Sequence, residues 1–217
     1  MSLAPVIAVH VGLGVAGTAA LLSPDPARGW AVLACVVAYA VALVVVCRRT
    51  GHPAWASLAG FLCLVSAFQV MPDWILAELL GTLRFPDTGG PRVDDTVPLA
   101  MALMWVAPLF LAITAAGLRP ARAALTAFGV FSAAELLAPV VGLWEPIGDT
   151  TRLLGVAVYV PPAEAVLGWA AATGWHATKD KGIGAKITAA AAVSVIYTGA
   201  LVVSYFVIDV AVWRVTR

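Results

Sequence analysis

Seven apolar stretches, each near the length a helix needs to cross a bilayer, constrain this chain more than any other feature. A hydrocarbon core about 30 Å thick takes about 20 helical residues at about 1.5 Å each. The stretches run over roughly 4–22, 30–47, 54–72, 97–117, 121–143, 153–173 and 187–212. Polar punctuation separates them: Ser23-Pro24-Asp25-Pro26, Arg48-Arg49 through His52-Pro53, a long loop over 73–96, and Arg119-Pro120. Membrane-spanning strands would alternate apolar and polar residues, and these runs do not, so the stretches read as helices. The chain is 62% hydrophobic and 12% charged, with a mean hydropathy of +0.96. That composition excludes an ordinary soluble domain and a disordered chain. The expectation is an all-α polytopic membrane protein, one transmembrane domain over 1–217 with seven transmembrane helices. Residues 1–22 read as a retained first helix rather than a signal peptide. No basic segment precedes the run, and His10 and Gly12 interrupt it.

A net charge of +1 without a basic stripe argues against a nucleic-acid partner. Cys35, Cys47 and Cys63 all lie in apolar runs, which excludes a disulfide scaffold and a cysteine metal knuckle. The loops on the N-terminal side carry Arg48, Arg49, Arg119, Arg122, Lys179, Lys181 and Lys186 in short, densely basic turns. By the positive-inside rule this side is expected to face the cytoplasm.

A regular spacing runs through the opposite loops. Asp25, Asp87 and Asp149 stand 62 residues apart, and so do Asp73 and Glu135. A shift of 63 relates Val97-Pro98-Leu99-Ala100-Met101-Ala102 to Val160-Pro161-Pro162-Ala163-Glu164-Ala165. Two explanations stay open. One is three helical hairpins of equal length in a biased composition. The other is a duplicated two-helix unit used three times, at about 4–47, 54–117 and 121–173, and closed by a helix over 187–212.

Acids inside apolar helices are costly and mark functional sites by default. Glu135 lies in the fifth stretch and Glu164 in the sixth. Counted from the stretch ends away from the N-terminal side, Glu135 sits about 12 Å deep and Glu164 about 16 Å deep. Both can then line one cavity. Asp149 lies in the loop between them, Asp73 at the end of the third stretch, and Asp209 near the end of the seventh. Pro161-Pro162 before Glu164 reads as a kink in the sixth helix. Bland readings stand beside these: Arg152 is a candidate counter-ion for Glu135, Asp209 fits an interfacial residue, and Trp30, Trp55, Trp74, Trp144 and Trp213 fit interfacial anchors.

Several chemistries drop out. Only His10, His52 and His176 exist, far apart, so neither a zinc-protease motif nor histidine boxes are present. No lysine lies inside the last stretch for a retinal Schiff base, and no nucleophile elbow or phosphate loop occurs. No metal and no cofactor is expected. What remains is a set of carboxylic acids facing an apolar interior. Burial favours the un-ionised form of a carboxyl. Such an acid can protonate an electron-rich double bond or epoxide, and dry aromatic walls can hold the resulting cation.

The run Tyr159-Val160-Pro161-Pro162-Ala163-Glu164-Ala165 resembles the Pro-x-Glu-Glu stretch of the membrane lycopene cyclase domain, with Ala165 in the place of the second glutamate. Trp144-Glu145-Pro146-Ile147-Gly148-Asp149 occupies the loop before it, and the region from Glu135 to Trp169 is similar to carotenoid hydratases. In size and span number the chain also resembles small seven-helix meroterpenoid cyclases, including bacterial enzymes that cyclise a farnesyl chain on an indole. These resemblances imply a metal-independent, proton-initiated terpene cyclase acting on a lipophilic prenylated molecule, such as a farnesylated indole, within the bilayer. Glu164 is then the leading acid. Glu135 and Asp149 are its partners or alternatives, with Asp73 and Asp209 behind them. Trp144, Tyr159, Trp169 and Tyr205 are candidate cavity walls. Two other readings remain: a proton-coupled transporter of a lipophilic compound, and a membrane subunit that binds a partner enzyme, a carotenoid-type hydratase or cyclase subunit included.

Overall fold

A computed structural model describes residues 3–211. Trp213, read above as an anchor, lies outside the described residues, as does the very end of the seventh stretch. Every apolar stretch contains helix: α1 (Ala4–Leu21), α2 (Ala27–Arg49), α3 (Pro53–Phe68) with α4 (Val70–Trp74), α5 (Met101–Met104) with α6 (Val106–Ala115), α7 (Pro120–Val141), α8 (Val160–Thr178) and α9 (Ile183–Tyr205). Wider π-helical turns extend α4 over Ile75–Leu79 and α9 over Phe206–Ala211. Five continuous helical stretches are long and apolar enough to cross a membrane: Ala4–Leu21, Ala27–Arg49, Pro53–Leu79, Pro120–Val141 and Ile183–Ala211. Met101–Ala115 is apolar but shorter.

Helices consecutive in the chain pack as neighbours, α1 on α2, α2 on α3, α6 on α7, α7 on α8 and α8 on α9, as short connections favour. The periodicity of buried residues explains the tightest of these seams. In α7, Ala123, Ala127, Phe131, Glu135 and Ala138 are buried, a stripe at helical spacing. In α8, Glu164, Leu167, Gly168, Ala171 and Trp175 form the matching stripe. Gly168 lets the two backbones approach: a Cβ there would sit 2.3 Å from Ala127 Cβ and 2.8 Å from the Ala123 carbonyl.

Three small strand pairs gather at one end of the bundle. β1 (Leu83–Arg84) pairs antiparallel with β4 (Glu145–Pro146), which joins the loop after α4 to the loop after α7. β2 (Arg92–Val93) pairs with β3 (Val97–Pro98), and β5 (Arg152–Leu153) with β6 (Val156–Ala157). The turn after α1 joins the same end, because Gly29 N–H donates to the Thr88 carbonyl at 2.9 Å.

The structure corrects three expectations. The sixth stretch begins as the β5–β6 hairpin, so α8 starts at Val160 rather than near 153. Glu164 is therefore only about 6 Å into its helix, not about 16 Å. Pro161-Pro162 open that helix instead of kinking it, because first-turn residues have no helical partner for an N–H that proline lacks. The 63-residue match also fails as structure, since Val97-Pro98 form a strand and Val160-Pro161 begin a helix.

Candidate active site: an enclosed acid cavity

The third helix is broken where the site needs it. Pro72 has no N–H, so the Phe68 carbonyl four residues earlier loses its helical partner. Ser194 of α9 fills that place, its hydroxyl donating to the Phe68 carbonyl at 2.9 Å. The helix resumes as α4 and its π turn, and this segment carries Asp73. The fourth stretch breaks likewise between α5 and α6: the Trp105 amide donates to Ser66 Oγ at 3.2 Å, which aligns Trp105 with α3.

Asp73 and Glu135 both line one small cavity under the strand pairs. Trp105, Trp144, Tyr159, Tyr197 and Phe85 supply aromatic wall, and Leu76, Met101 and Val160 aliphatic wall. The cavity leaves the centre of a water-sized molecule about 20 Å³, room for about one water. Each acid receives an indole N–H. Trp105 Nε1 donates to Asp73 Oδ2 at 3.3 Å, and Trp144 Nε1 donates to Glu135 Oε1 at 3.2 Å. Tyr159 donates to Thr82 Oγ1 at 2.8 Å, and Ile147 N–H donates to the Thr82 carbonyl at 2.9 Å. Thr82 thus ties the mouth of α8 to the two loops joined by β1 and β4. Glu164 is fully buried, and among the described residues neither of its carboxyl oxygens has a hydrogen-bond partner. It does not itself line the cavity, but it lies one turn from Gly168 on the α7–α8 seam that also carries Glu135. Among the described residues no lysine or arginine pairs with any of these three acids. Arg152, the candidate counter-ion, donates instead to the Gly148 carbonyl and Thr150 Oγ1, at 2.9 and 3.1 Å.

The expected residues therefore separate. Asp73, Glu135, Trp144 and Tyr159 come together on the cavity, with Glu164 adjoining it. Tyr205 stands one layer out, its ring edge-on to Tyr159 at 5.3 Å between centroids. Asp149 is exposed in its loop, away from the cavity. Asp209 is buried but accepts the Thr151 N–H at 2.5 Å, so it fastens the loop before β5 to the end of α9. Trp169 is 43% exposed on the outer face of α8, since five residues past Glu164 a helix has turned away from the α7 seam. Trp105, Tyr197 and Thr82 were not among the expected site residues. The 62-residue relation of Asp73 to Glu135 pointed to the acids, whereas nothing in the spacing marked Tyr197 or Thr82.

Residues 70–208 match the family described as a domain of unknown function (DUF6989). The chain belongs to this family. The matched segment holds every residue that lines the acid cavity. No curated protein matches the chain, and no solved structure does.

Proposed function

We propose that this protein is an integral-membrane cyclase that protonates an isoprenoid double bond, or an epoxide, of a lipophilic prenylated substrate and closes rings through a carbocation. One observation carries the reading: two carboxyls, without a basic partner among the described residues, face the same small, aromatic-walled cavity. An apolar surround favours the un-ionised acid, which is the form that gives a proton. Indole and phenol faces hold positive charge, and a closed wall keeps water from quenching it. Asp73 and Glu135 are the acids in reach of substrate, one as donor and the other as acceptor of the proton released at termination. The bundle spans the bilayer seven times in this reading, with the basic loops in the cytoplasm. The cavity as it stands holds about a water, so a prenyl chain enters only when the loops joined by β1 and β4 part.

The breaks at Gln69 and Trp105 and the π turns after α4 and α9 favour a second reading, proton-coupled transport, because discontinuous helices often flank transported substrates. One experiment separates the two. Membranes containing the protein are incubated in heavy water with farnesylated aromatics and linear polyenes, and products are resolved by chromatography with mass spectrometry. Cyclisation yields an isomer carrying one non-exchangeable deuterium, and hydration adds one water. Recovery of every substrate unchanged, with folded protein, rejects the cyclase and directs attention to flux.

A further inference from the structure

The two halves of the cavity follow one template. Asp73 stands ten residues before β1 and Glu135 ten residues before β4, and those strands pair with each other. Each half continues into a tight hairpin, then two turn residues, then a helix beginning at Met101 or Val160. Counted from those helix starts, Trp105 and Glu164 both hold the fifth position. In the first half this position serves the acid, because Trp105 Nε1 donates to Asp73. In the second half it holds a fully buried carboxyl whose two oxygens have no hydrogen-bond partner among the described residues. Gly168 of α8 packs against Ala123 and Ala127 of α7, so one turn earlier on α8 Glu164 comes level with the stretch of the buried α7 stripe that carries Phe131 and Glu135. Two ionised carboxylates offer acceptors only, so a hydrogen bond between them needs a proton on one. Two like charges buried together without a counter-ion are costly.

We propose that Glu164 and Glu135 share one proton, so that Glu164 makes to Glu135 the hydrogen bond that Trp105 makes to Asp73. Glu135 faces the cavity, whereas Glu164 acts through it and is a positioning residue. When the substrate is protonated, the alkene π electrons form the new C–H bond and the carboxyl pair is left ionised. The cyclised cation gives up its proton to Asp73, and return of that proton to the pair closes the cycle, so no co-reactant is consumed. The catalytic use of this proton rests on the cyclase reading, but the shared proton itself is present without substrate.

Infrared spectra of the full chain in phosphatidylcholine bilayers, recorded in H₂O and D₂O, test it directly. The expected signature is a C=O stretching band of a protonated carboxyl that moves to lower frequency in D₂O. It moves or vanishes in both Glu164→Gln and Glu135→Gln, with thermal unfolding confirming folded protein. Should Glu164→Gln fail to fold, Glu164→Asp shortens the reach to Glu135 and moves the same band. A wild type without the band, or a band that either variant leaves in place, overturns the proposal. If the band behaves as expected while the heavy-water assay returns every substrate unchanged, the shared proton stands and the cyclase reading falls.

Discussion

Asp73 and Glu135 differ from Asp25, Asp87 and Asp149 in what surrounds them rather than in depth alone. Both face the cavity and both accept an indole N–H, while Asp25, Asp87 and Asp149 lie exposed in loops. Asp73→Asn and Glu135→Gln keep the shape and remove the acid. Each is expected to lower product formation about 10²–10⁴-fold, the range of general acid–base contributions, read as product per folded protein by mass spectrometry. Ser194 makes a different kind of contribution. Ser194→Ala leaves the Phe68 carbonyl without the donor that replaces the Pro72 amide. The expected cost is about 1–3 kcal/mol, seen as earlier thermal unfolding in detergent. The sequence made Glu135 legible as an acid inside an apolar stretch, and the structure sets it on the helical periodicity of Ala123, Ala127 and Phe131. The same periodicity, applied to α8, separates Trp169 from Glu164. Ser194 left no mark in the sequence, since its purpose depends on a proline in another helix.

At the level of elements, α7 and α8 set the geometry of the second half of the site through Gly168. Gly168→Val forces these backbones apart and is expected to destabilise the protein by about 1–3 kcal/mol, measured by chemical unfolding. Glu164 lies four residues earlier on α8, so the same variant also moves the carboxyl away from Glu135. All seven apolar stretches were legible as containing helix because each is long and lacks the alternation of a membrane strand. The start of α8 was not. Leu153-Leu154-Gly155-Val156 is apolar enough to pass for helix, and only the left-handed backbone at Leu154 and Gly155 shows that it turns as a hairpin. Strands two residues long carry no periodicity of their own, so the pairing of β1 with β4 was likewise invisible. That pairing closes the cavity, and a lock across it is the direct test of opening. Leu83→Cys with Pro146→Cys joins residues directly opposite each other, a separation that suits a disulfide. Oxidation is expected to stop turnover of a prenylated substrate, and reduction to restore it.

For the molecule as a whole, all three strand pairs and the cavity sit at one end of the bundle, and the dense arginine and lysine turns at the other. Single cysteines at Asp87 and Asp149, in a background without native cysteines, are expected to react with an impermeant maleimide from one side of sealed vesicles. A cysteine at Arg119 or Lys181 reacts from the other side. Labelling of Asp87 and Asp149 from opposite sides contradicts the seven-span arrangement. The closing helix gives this layout a temporal meaning. Tyr197 and Ser194, both on α9, are the latest residues of the site in chain order. A ribosome delivers them after every acid of the cavity has already been made. Until that helix arrives, the carbonyl freed by Pro72 lacks its donor and the cavity lacks a wall. A nascent chain threading into the bilayer thus carries its acids in an unfinished pocket until α9 is inserted.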